Sequence, residues 1–551
     1  MKSTLTALLM FLSTFTMAQW TTNTQLNTEV KDSLGLEETT PLTATTDDGF
    51  TWVSYFAGYN GNYQMRLQLL DTAGTRLFGS NGLLVSNQPQ SSALFRYDLK
   101  SDAAGNAIVA FQDIRTAGTL QVVAYKIDRQ GNFVWGNNGI QLIDPISNEG
   151  IAPTIGFTHA GNVIIGWNAT GNNPKWVALT KLDPSGNALW PNPVRVIDSV
   201  STKKYSRPTM VPCGNDGFIL QYVEESGFGL GVSNIYAKRY NSNGGAIWNA
   251  PVHVSTKTTS FFFFVKAVSD GQDGYFTAFN TSDALVPSLN DVYVQHVDSS
   301  GNLWNATGNS ASSATGINRF CANAKMDVLG SKFWVLLKAT DGNQSQSGAI
   351  VQAFDLLGNT QLTSQGSALV PISASYDDPL DLTITNDGVI VFYFSGNNPS
   401  QTIKATKSNL SGAQQWQADI CTAVSGKDDL ASGAFHQGQA VAVWTDNRFD
   451  TGVYAQKINN DGTFGSTSSS PELSEISLSL YPNPATDFLL LNLGHEATFE
   501  WSIHDMAGKT VLKGRSFAAE RISTSSLPIG LYVLEWHCKR SNGVAKIQIA
   551  R

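Results

Sequence analysis

The feature that most constrains the fold is a glycine that recurs every 56 residues. Gly49, Gly105, Gly161 and Gly217 each end a short polar segment and precede an apolar run. The series continues, at spacings of 56 to 58 and finally 50 residues, through Gly274, Gly330, Gly388 and Gly438. Self-similarity at a fixed period indicates a repeat architecture in which small units bury their apolar faces against their neighbours.

A second motif lies between these glycines: Asp or Asn, two residues, Gly, and three or four residues later a large apolar residue, usually Trp. Its clearest copy is Asp128, Gly131 and Trp135. The other copies are Asp71/Gly74/Phe78, Asp183/Gly186/Trp190, Asn241/Gly244/Trp248, Asp298/Gly301/Trp304, Asp355/Gly358/Leu362 and Asn409/Gly412/Trp416. Because Asn replaces Asp freely, the motif favours a hairpin turn over a metal or sugar ligand. We expect the Trp on the fourth, outer strand of each unit, packed between units.

Each unit contains four short apolar strands separated by turns, as in residues 152–197. Four strands in about 55 residues are typical of one β-propeller blade. The sequence therefore predicts an all-β protein with an eight-bladed β-propeller over residues 19–464, with seven blades as the fallback. No convincing fourth strand follows Gly462, so the N-terminal strand that begins near Trp20 is expected to complete the last blade and close the ring.

The Asp-x-x-Gly and Trp pattern resembles the tryptophan-docking repeat of quinoprotein-like propellers. The Thr that usually precedes the Gly in that family is absent, and the chain has no adjacent cysteine pair. The resemblance implies the propeller fold without the quinone site, and no cofactor or metal is predicted.

Charge and cysteine content exclude several classes of function. The 551 residues are 42% hydrophobic and only 15% charged, with a net charge of −8 and no basic stripe, which argues against a nucleic-acid partner. Cys213, Cys321, Cys421 and Cys538 lie far apart and form no metal motif, a pattern that favours free thiols over a disulfide.

The N-terminus has the pattern of an export signal. Lys2 precedes a short apolar stretch, and small residues end at Ala18, so residues 1–18 are predicted to be a signal peptide. The apolar stretch is too short to cross a bilayer, and no membrane span is predicted.

The repeat pattern of the sequence ends at a Ser-rich linker, residues 465–473. Residues 474–551 alternate as in a small β-sandwich, and three groups of residues mark this segment. These are Tyr481-Pro482-Asn483-Pro484 with Asp487, then Asp505 and Gly508, and finally Gly530 and Tyr532 before a closing strand that carries Lys546. The segment resembles the type A C-terminal sorting domain of the Bacteroidetes type IX secretion system. The resemblance implies that an outer-membrane translocon is its partner and that the chain is released or held at the cell surface. A carbohydrate-binding or immunoglobulin-like module is the alternative.

Candidate ligand residues lie in three places in the predicted propeller. Two loops after a second strand repeat Asp-x-Arg, as Asp113/Arg115 and Asp446/Arg448, which suits a carboxylate or sugar ligand but also a turn-stabilising ion pair. The repetition favours the ion pair. The paired carboxylates Glu224 and Glu225, predicted in a long Gly-rich loop, suit acid–base chemistry. Phe261, in a run of four Phe, suits either ligand stacking or core packing.

These patterns predict an exported or surface-displayed binding protein whose ligands are glycans or other extracellular macromolecules. The alternative is a secreted glycan-active hydrolase or lyase that uses Glu224, Glu225 and Asp113. A third hypothesis is a structural surface component.

Overall fold

The computed structural model describes most of the chain after residue 19. The described residues are 20–32, 35–90, 96–116, 118–171, 175–198, 203–225, 233–259, 266–282, 289–327, 331–435, 438–465, 479–492, 498–517, 519–538 and 541–550. The predicted signal peptide, nearly all of the Ser-rich linker and Phe261 lie outside them. The chain divides into two compact units, Met1–Ser466 and Thr467–Arg551. Within the described residues, no helix is long and apolar enough to cross a membrane.

The described residues of the first unit form 32 short strands. They are β1 (Thr28–Lys31), β2 (Glu38–Thr45), β3 (Thr51–Tyr59), β4 (Asn62–Leu70), β5 (Leu83–Ser86), β6 (Asp98–Ser101), β7 (Ala107–Thr116), β8 (Thr119–Ile127), β9 (Ile140–Leu142), β10 (Glu149–Phe157), β11 (Val163–Thr170), β12 (Trp176–Leu182), β13 (Val194–Val196), β14 (Lys204–Cys213), β15 (Gly217–Glu225), β16 (Ser233–Tyr240), β17 (Val252–His253), β18 (Lys266–Ser269), β19 (Tyr275–Ser282), β20 (Asn290–Val297), β21 (Asn309–Ser310), β22 (Asn318–Met326), β23 (Phe333–Thr340), β24 (Ser347–Phe354), β25 (Ser367–Ser373), β26 (Asp377–Ile384), β27 (Gly388–Ser395), β28 (Gln401–Asn409), β29 (Gln414–Ser425), β30 (Lys427–Ala434), β31 (Ala440–Asp446) and β32 (Gly452–Ile458).

These strands form eight four-stranded antiparallel sheets. Sheets 1 to 7 are β2–β5, β6–β9, β10–β13, β14–β17, β18–β21, β22–β25 and β26–β29, each with its strands in chain order. Sheet 8 has the order β1-β32-β31-β30, so its fourth strand comes from the N-terminal end, with Thr28 opposite Ala455 and Glu29 opposite Tyr454. The first strand of each sheet contacts the first strand of the next, and β30 of sheet 8 contacts β2 of sheet 1.

The core of this unit is divided among the interfaces between sheets. Eight hydrophobic clusters each join two neighbouring sheets, and one of them, containing Trp20, Val30, Tyr55 and Val443, joins sheet 8 to sheet 1. Each sheet is therefore covered on both faces. This explains why central strands such as β31, buried along its whole length, read as continuous apolar runs rather than alternating ones.

The Asp-x-x-Gly turns receive the large apolar residue of the preceding sheet. Trp135 of sheet 2 donates its indole N–H to the Pro184 carbonyl at 3.2 Å, in the turn of sheet 3. Trp20 donates in the same way to the Thr72 carbonyl of sheet 1, at 3.2 Å. The full cycle of pairs is Trp20–Gly74, Phe78–Gly131, Trp135–Gly186, Trp190–Gly244, Trp248–Gly301, Trp304–Gly358, Leu362–Gly412 and Trp416–Gly462.

One expectation about these residues is wrong. They were expected on the fourth strand, but Trp135 precedes β9 by several residues and Trp20 precedes β1, and only Trp416 lies within its strand. The short fourth strands begin only after the chain has carried the side chain to the turn of the next sheet, and Trp416 makes the same contact from within the longer β29.

The second unit contains two antiparallel sheets. Its strands are β33 (Ser479–Tyr481), β34 (Phe488–Asn492), β35 (Thr498–Asp505), β36 (Thr510–Phe517), β37 (Ala519–Ser523), β38 (Gly530–Cys538) and β39 (Ser541–Ile549). The sheet orders are β33-β34-β37 and β36-β35-β38-β39. Side chains from both sheets, among them Leu489, Ile522, Trp501 and Trp536, share one buried core.

A glycine substitution in a docking turn tests this packing. Gly186 has a φ of +91°, and a Cβ there would lie 2.7 Å from the Trp135 ring. Gly161 has a φ of +80° but nothing within 4 Å of a Cβ. We expect Gly161→Ala to cost about 1–2 kcal/mol of unfolding free energy from backbone strain alone. Gly186→Ala should cost a further ~1–3 kcal/mol from overpacking. Urea denaturation followed by tryptophan fluorescence measures both, and equal losses would contradict the docking role.

Candidate binding pocket and sorting domain

Asp113 and Arg115 form a buried ion pair at the end of β7. Arg115 Nε donates to Asp113 Oδ1 at 2.8 Å, and its Nη2 donates to Asp113 Oδ2 and, at 3.1 Å, to the Tyr125 hydroxyl. Its Nη1 donates to the Asn138 carbonyl, two residues before β9. Ser86, the last residue of sheet 1, donates to Asp113 Oδ2 at 3.2 Å. The pair therefore joins three segments from two sheets.

Asp446 and Arg448 repeat this arrangement in sheet 8. Arg448 Nη2 donates to Asp446 Oδ2 at 2.7 Å, and Ser425, the last residue of sheet 7, donates to Asp446 Oδ1 at 2.6 Å. Arg448 Nη1 donates to the carbonyls of Gln25 and Leu26, at 2.9 and 2.8 Å. Because Gln25 and Leu26 lie three and two residues before β1, this arginine fastens the N-terminal segment to the last sheet.

Sheet 8 surrounds its carboxylate more completely than sheet 2 does. Lys427 Nζ lies 2.7 Å from Asp446 Oδ2, and Trp444 donates its indole N–H to the same oxygen at 2.9 Å. Both Lys427 and Asp446 are fully buried. Burial opposes ionisation, but the hydrogen bond from Arg448 and the charge of Lys427 outweigh it and hold the pKa of Asp446 well below its usual range. Both Asp-x-Arg motifs thus stabilise turns and neighbouring segments.

A pocket of about 210 Å³ opens beside Arg115, between sheets 1 and 2. We call it the Arg115 pocket. Its lining includes the apolar residues Leu84 and Phe133 and the amide-bearing residues Asn87, Gln88 and Asn137. Arg115 lies at this pocket with 13% of its side chain exposed. The sequence singled out Arg115 through the repeated motif, but the amides carried no pattern that distinguished them from other loop residues.

The two neighbouring glutamates lie on a strand, which corrects the expectation of a Gly-rich loop. Glu224 and Glu225 end β15 and pair in register with Asn234 and Ser233 of β16. Side chains of successive strand residues point to opposite faces. Glu224 accordingly contacts Lys203 at 3.1 Å, whereas Glu225 contacts Lys175 at 2.8 Å and accepts a hydrogen bond from Ser206. The two carboxylates do not converge on one site.

Charged side chains that the sequence did not single out meet across the first strands. Lys325 of β22 lies 3.4 Å from Asp381 of β26 and donates to the Ser432 carbonyl of β30 at 3.4 Å. Burial, with the charge of Arg207 as a second cause, lowers the pKa of Arg96 to about 9. First strands carry no spacing signal that predicts which opposite side chains will meet. Among the described residues, no group of His, Cys, Asp and Glu is placed to hold a metal ion.

In the second unit, Asn483 ties the Tyr-Pro-Asn-Pro turn to the closing strand. Its Nδ2 donates to the Lys546 carbonyl at 2.8 Å, and its Oδ1 accepts from the Gln548 amide at 2.9 Å. Ala485 continues this contact by donating to the Gln548 carbonyl at 2.8 Å. The turn thus anchors β39, while the Tyr481 side chain is exposed. Pro482 and Pro484 flank Asn483 within the turn.

The other marked residues of this unit occupy turns and strand ends. Asp505 Oδ1 accepts from the amides of Ala507 and Lys509, and Gly508 has a φ of +82° in the same turn. The Asp487 carbonyl accepts from the Thr524 amide at 2.9 Å. Gly530 begins β38, and the buried Tyr532 donates its hydroxyl to the Pro528 carbonyl at 2.8 Å. These residues shape the domain rather than form one cluster.

The chain thus combines a propeller-like unit of eight sheets with a small two-sheet domain. Residues 479–550 match the family described as the secretion system C-terminal sorting domain. The chain therefore carries a type IX sorting domain, which directs export to secretion or to attachment at the cell surface and implies interaction with the type IX machinery. No curated protein sequence matches the chain significantly.

Several solved structures resemble the chain at low identity. An ulvan lyase of a new polysaccharide lyase family, bound to -[GlcA(1-4)Rha3S]-, is 10% identical with a TM-score of 0.46, over 80% of this chain and 97% of that one. The alpha-L-arabinanase of Penicillium chrysogenum, complexed with arabinobiose, is 10% identical with a TM-score of 0.36, over 81% and 100%. A eukaryotic initiation factor is 11% identical with a TM-score of 0.38, over 80% and 90%. Similarity at this level assigns none of their functions to this chain.

Removal of the buried carboxylate in sheet 8 tests the fastening role of Asp446. Asp446→Asn leaves the ammonium of Lys427 buried without an anion, so we expect a loss of about 3–5 kcal/mol of unfolding free energy at pH 7. Asp113→Asn should cost less, since Arg115 borders an open pocket. Because the folded pKa of Asp446 is depressed, its contribution is complete above the unfolded value of about 3.9 and is lost as the pH falls below it. Urea midpoints at pH 7 and pH 3 should therefore show the Asp446→Asn deficit shrinking in acid, and a deficit independent of pH would refute this.

Proposed function

We propose that this chain is an exported, eight-bladed β-propeller that binds glycans or other extracellular macromolecules and is delivered by its sorting domain. The proposed organisation is a signal peptide at 1–18, the propeller at 19–464, a linker at 465–473 and a β-sandwich sorting domain at 474–551. Closure by the N-terminal strand is supported by the pairing of β1 with β32 and by the contacts of Trp20 with sheet 1.

The main support for a binding role is that each carboxylate predicted from the sequence as a catalytic candidate is held in an ion pair. Asp113 is neutralised by Arg115, Glu224 lies beside Lys203, and Glu225 lies beside Lys175. A glycosidase needs two carboxyl groups that flank one bond, about 5–10 Å apart, with one of them able to donate a proton. Carboxylates held by separate cations are poorly suited to that task.

A binding role is also consistent with the Arg115 pocket, which offers hydrogen-bonding groups on a rigid support. Its residues come from the ends of short strands in two sheets that share a buried core. Rigid support of this kind lowers the entropic cost of binding. The alternative, a secreted hydrolase or lyase on the same scaffold, would need a catalytic pair elsewhere in the propeller.

Deletion of the sorting domain tests delivery. Removal of residues 474–551 should leave the protein in the periplasm, because the propeller retains its N-terminal signal but lacks the segment read at the outer membrane. Fractionation of periplasm, cell surface and medium measures this outcome. The variant Val544→Ser, on an exposed position of β39, serves as a control that should be exported normally. Unchanged export of the truncated chain would refute the assignment.

Parallel assays of retention and of product release on the same polysaccharides distinguish binding from catalysis. The protein should be retained on one or more immobilised polysaccharides while releasing no reducing ends and no unsaturated products. Glu224→Gln should leave retention unchanged, since this side chain does not line the Arg115 pocket. Turnover that Glu224→Gln abolishes would contradict the binding proposal and favour the enzyme.

A further inference from the structure

The Asp-x-Arg device occurs twice with the same geometry, so its two copies can be compared position by position. In both, the arginine donates to a carbonyl two residues before the fourth strand, Asn138 in sheet 2 and Leu26 in sheet 8. The residue after that carbonyl has a positive φ in both copies, +63° at Gly139 and +56° at Asn27. A serine that ends the preceding sheet bonds the aspartate in each.

The copies differ in what fills the space beside the guanidinium. In sheet 8, Lys427 follows Ser425 by two residues. Its ammonium donates a hydrogen bond to Asp446 Oδ2 at 2.7 Å. The Arg448 guanidinium lies 4.0 Å from the Tyr454 ring centre, and only 7% of its side chain is exposed. In sheet 2 the backbone contacts place the buried Gln90 at the point that corresponds to Lys427, since the Ile114 amide donates to the Pro89 carbonyl as the Asn447 amide donates to the Gly426 carbonyl. There the guanidinium lies 5.9 Å from the Tyr125 ring centre and borders the pocket.

The chemistry of this pocket suits an uncharged, hydroxyl-rich group. A guanidinium has five N–H donors, and Arg115 uses four of them on Asp113, Tyr125 and Asn138. One Nη1 donor remains. The charge of Arg115 is matched by Asp113, and within the described part of the chain no other charged side chain lines the pocket. An anionic ligand would therefore gain little from this site, whereas hydroxyl groups can bond Arg115, Asn87, Gln88 and Asn137.

The small volume of the pocket limits its ligand to a group about the size of one sugar ring. Its 210 Å³ is smaller than the ~300–1,000 Å³ of pockets that hold drug-sized molecules. Leu84 and Phe133 offer an apolar wall against which the C–H face of a sugar ring can pack. We propose that the Arg115 pocket is a subsite for one uncharged sugar residue of an extracellular glycan. This inference rests on the proposed binding function and names the ligand class for one site.

The test uses the full-length protein and a panel of immobilised polysaccharides. Laminarin, galactomannan and arabinoxylan are uncharged, whereas polygalacturonate, alginate and carrageenan are anionic. We expect retention on an uncharged member that persists in 0.5 M NaCl, since salt screens charge attraction and not neutral hydrogen bonds. Competition by the free monosaccharide separates recognition of a single unit from recognition of the chain. Retention on anionic members alone would overturn the inference.

Two variants and one control locate the site. The double variant Gln88→Ala/Asn137→Ala should weaken binding about tenfold, the effect of losing one or two hydrogen bonds. Gln88→Lys replaces an amide of the pocket lining with an exposed ammonium beside Arg115, so binding should fall while the melting temperature is maintained. Gln130→Ala, exposed on a nearby turn outside the pocket, should bind as wild type. Undiminished binding by both pocket variants would overturn the subsite but leave the binding function standing, whereas absence of retention on every polysaccharide would overturn both.

Discussion

The contact between a large apolar side chain, an aromatic ring at seven interfaces and Leu362 at the eighth, and a bare glycine backbone is the constraint on which the rest of the first unit depends. Sheets that fan out from a centre leave a wedge that widens toward the outside, and a large side chain must fill it. The ring of Trp135 or Trp304 can do so only because the facing turn carries no Cβ and has a positive φ. The glycine is thus required twice, for turn geometry and for close approach.

This interaction also explains how distant parts of the chain are joined. The contact of Trp20 with Gly74 has the same form as the other seven, although Trp20 begins the described chain and the sheet it serves is otherwise formed by residues 427–458. Arg448 adds polar contacts to Gln25 and Leu26, and Thr28 adds the strand pairing. Apolar docking, a buried ion pair and backbone hydrogen bonds therefore hold the same short segment.

The buried charges in these interfaces have different consequences in different sheets. In sheet 8 a lysine, an arginine, a serine and a tryptophan surround one carboxylate, and the cluster supports structure. In sheet 2 the lysine and the tryptophan are absent, and a polar pocket borders the arginine. The sorting domain places such a pocket outside the cell.

The sequence by itself determined the features that depend on local rules. Period and turn chemistry predicted the four-stranded units, because Gly at positive φ and Asx side chains act within a few residues, and the short motifs around Asn483, Asp505 and Tyr532 predicted the sorting domain. Only the tertiary structure decided the features that depend on non-local contacts: that most of the docking residues lie before their fourth strands, that Glu224 and Glu225 form separate ion pairs, and that Asn87, Gln88 and Asn137 line one cavity. Asn87 and Gln88 lie about 50 positions before Asn137 and carry no motif that marks them, so their convergence depends on how the wedge between sheets 1 and 2 is filled.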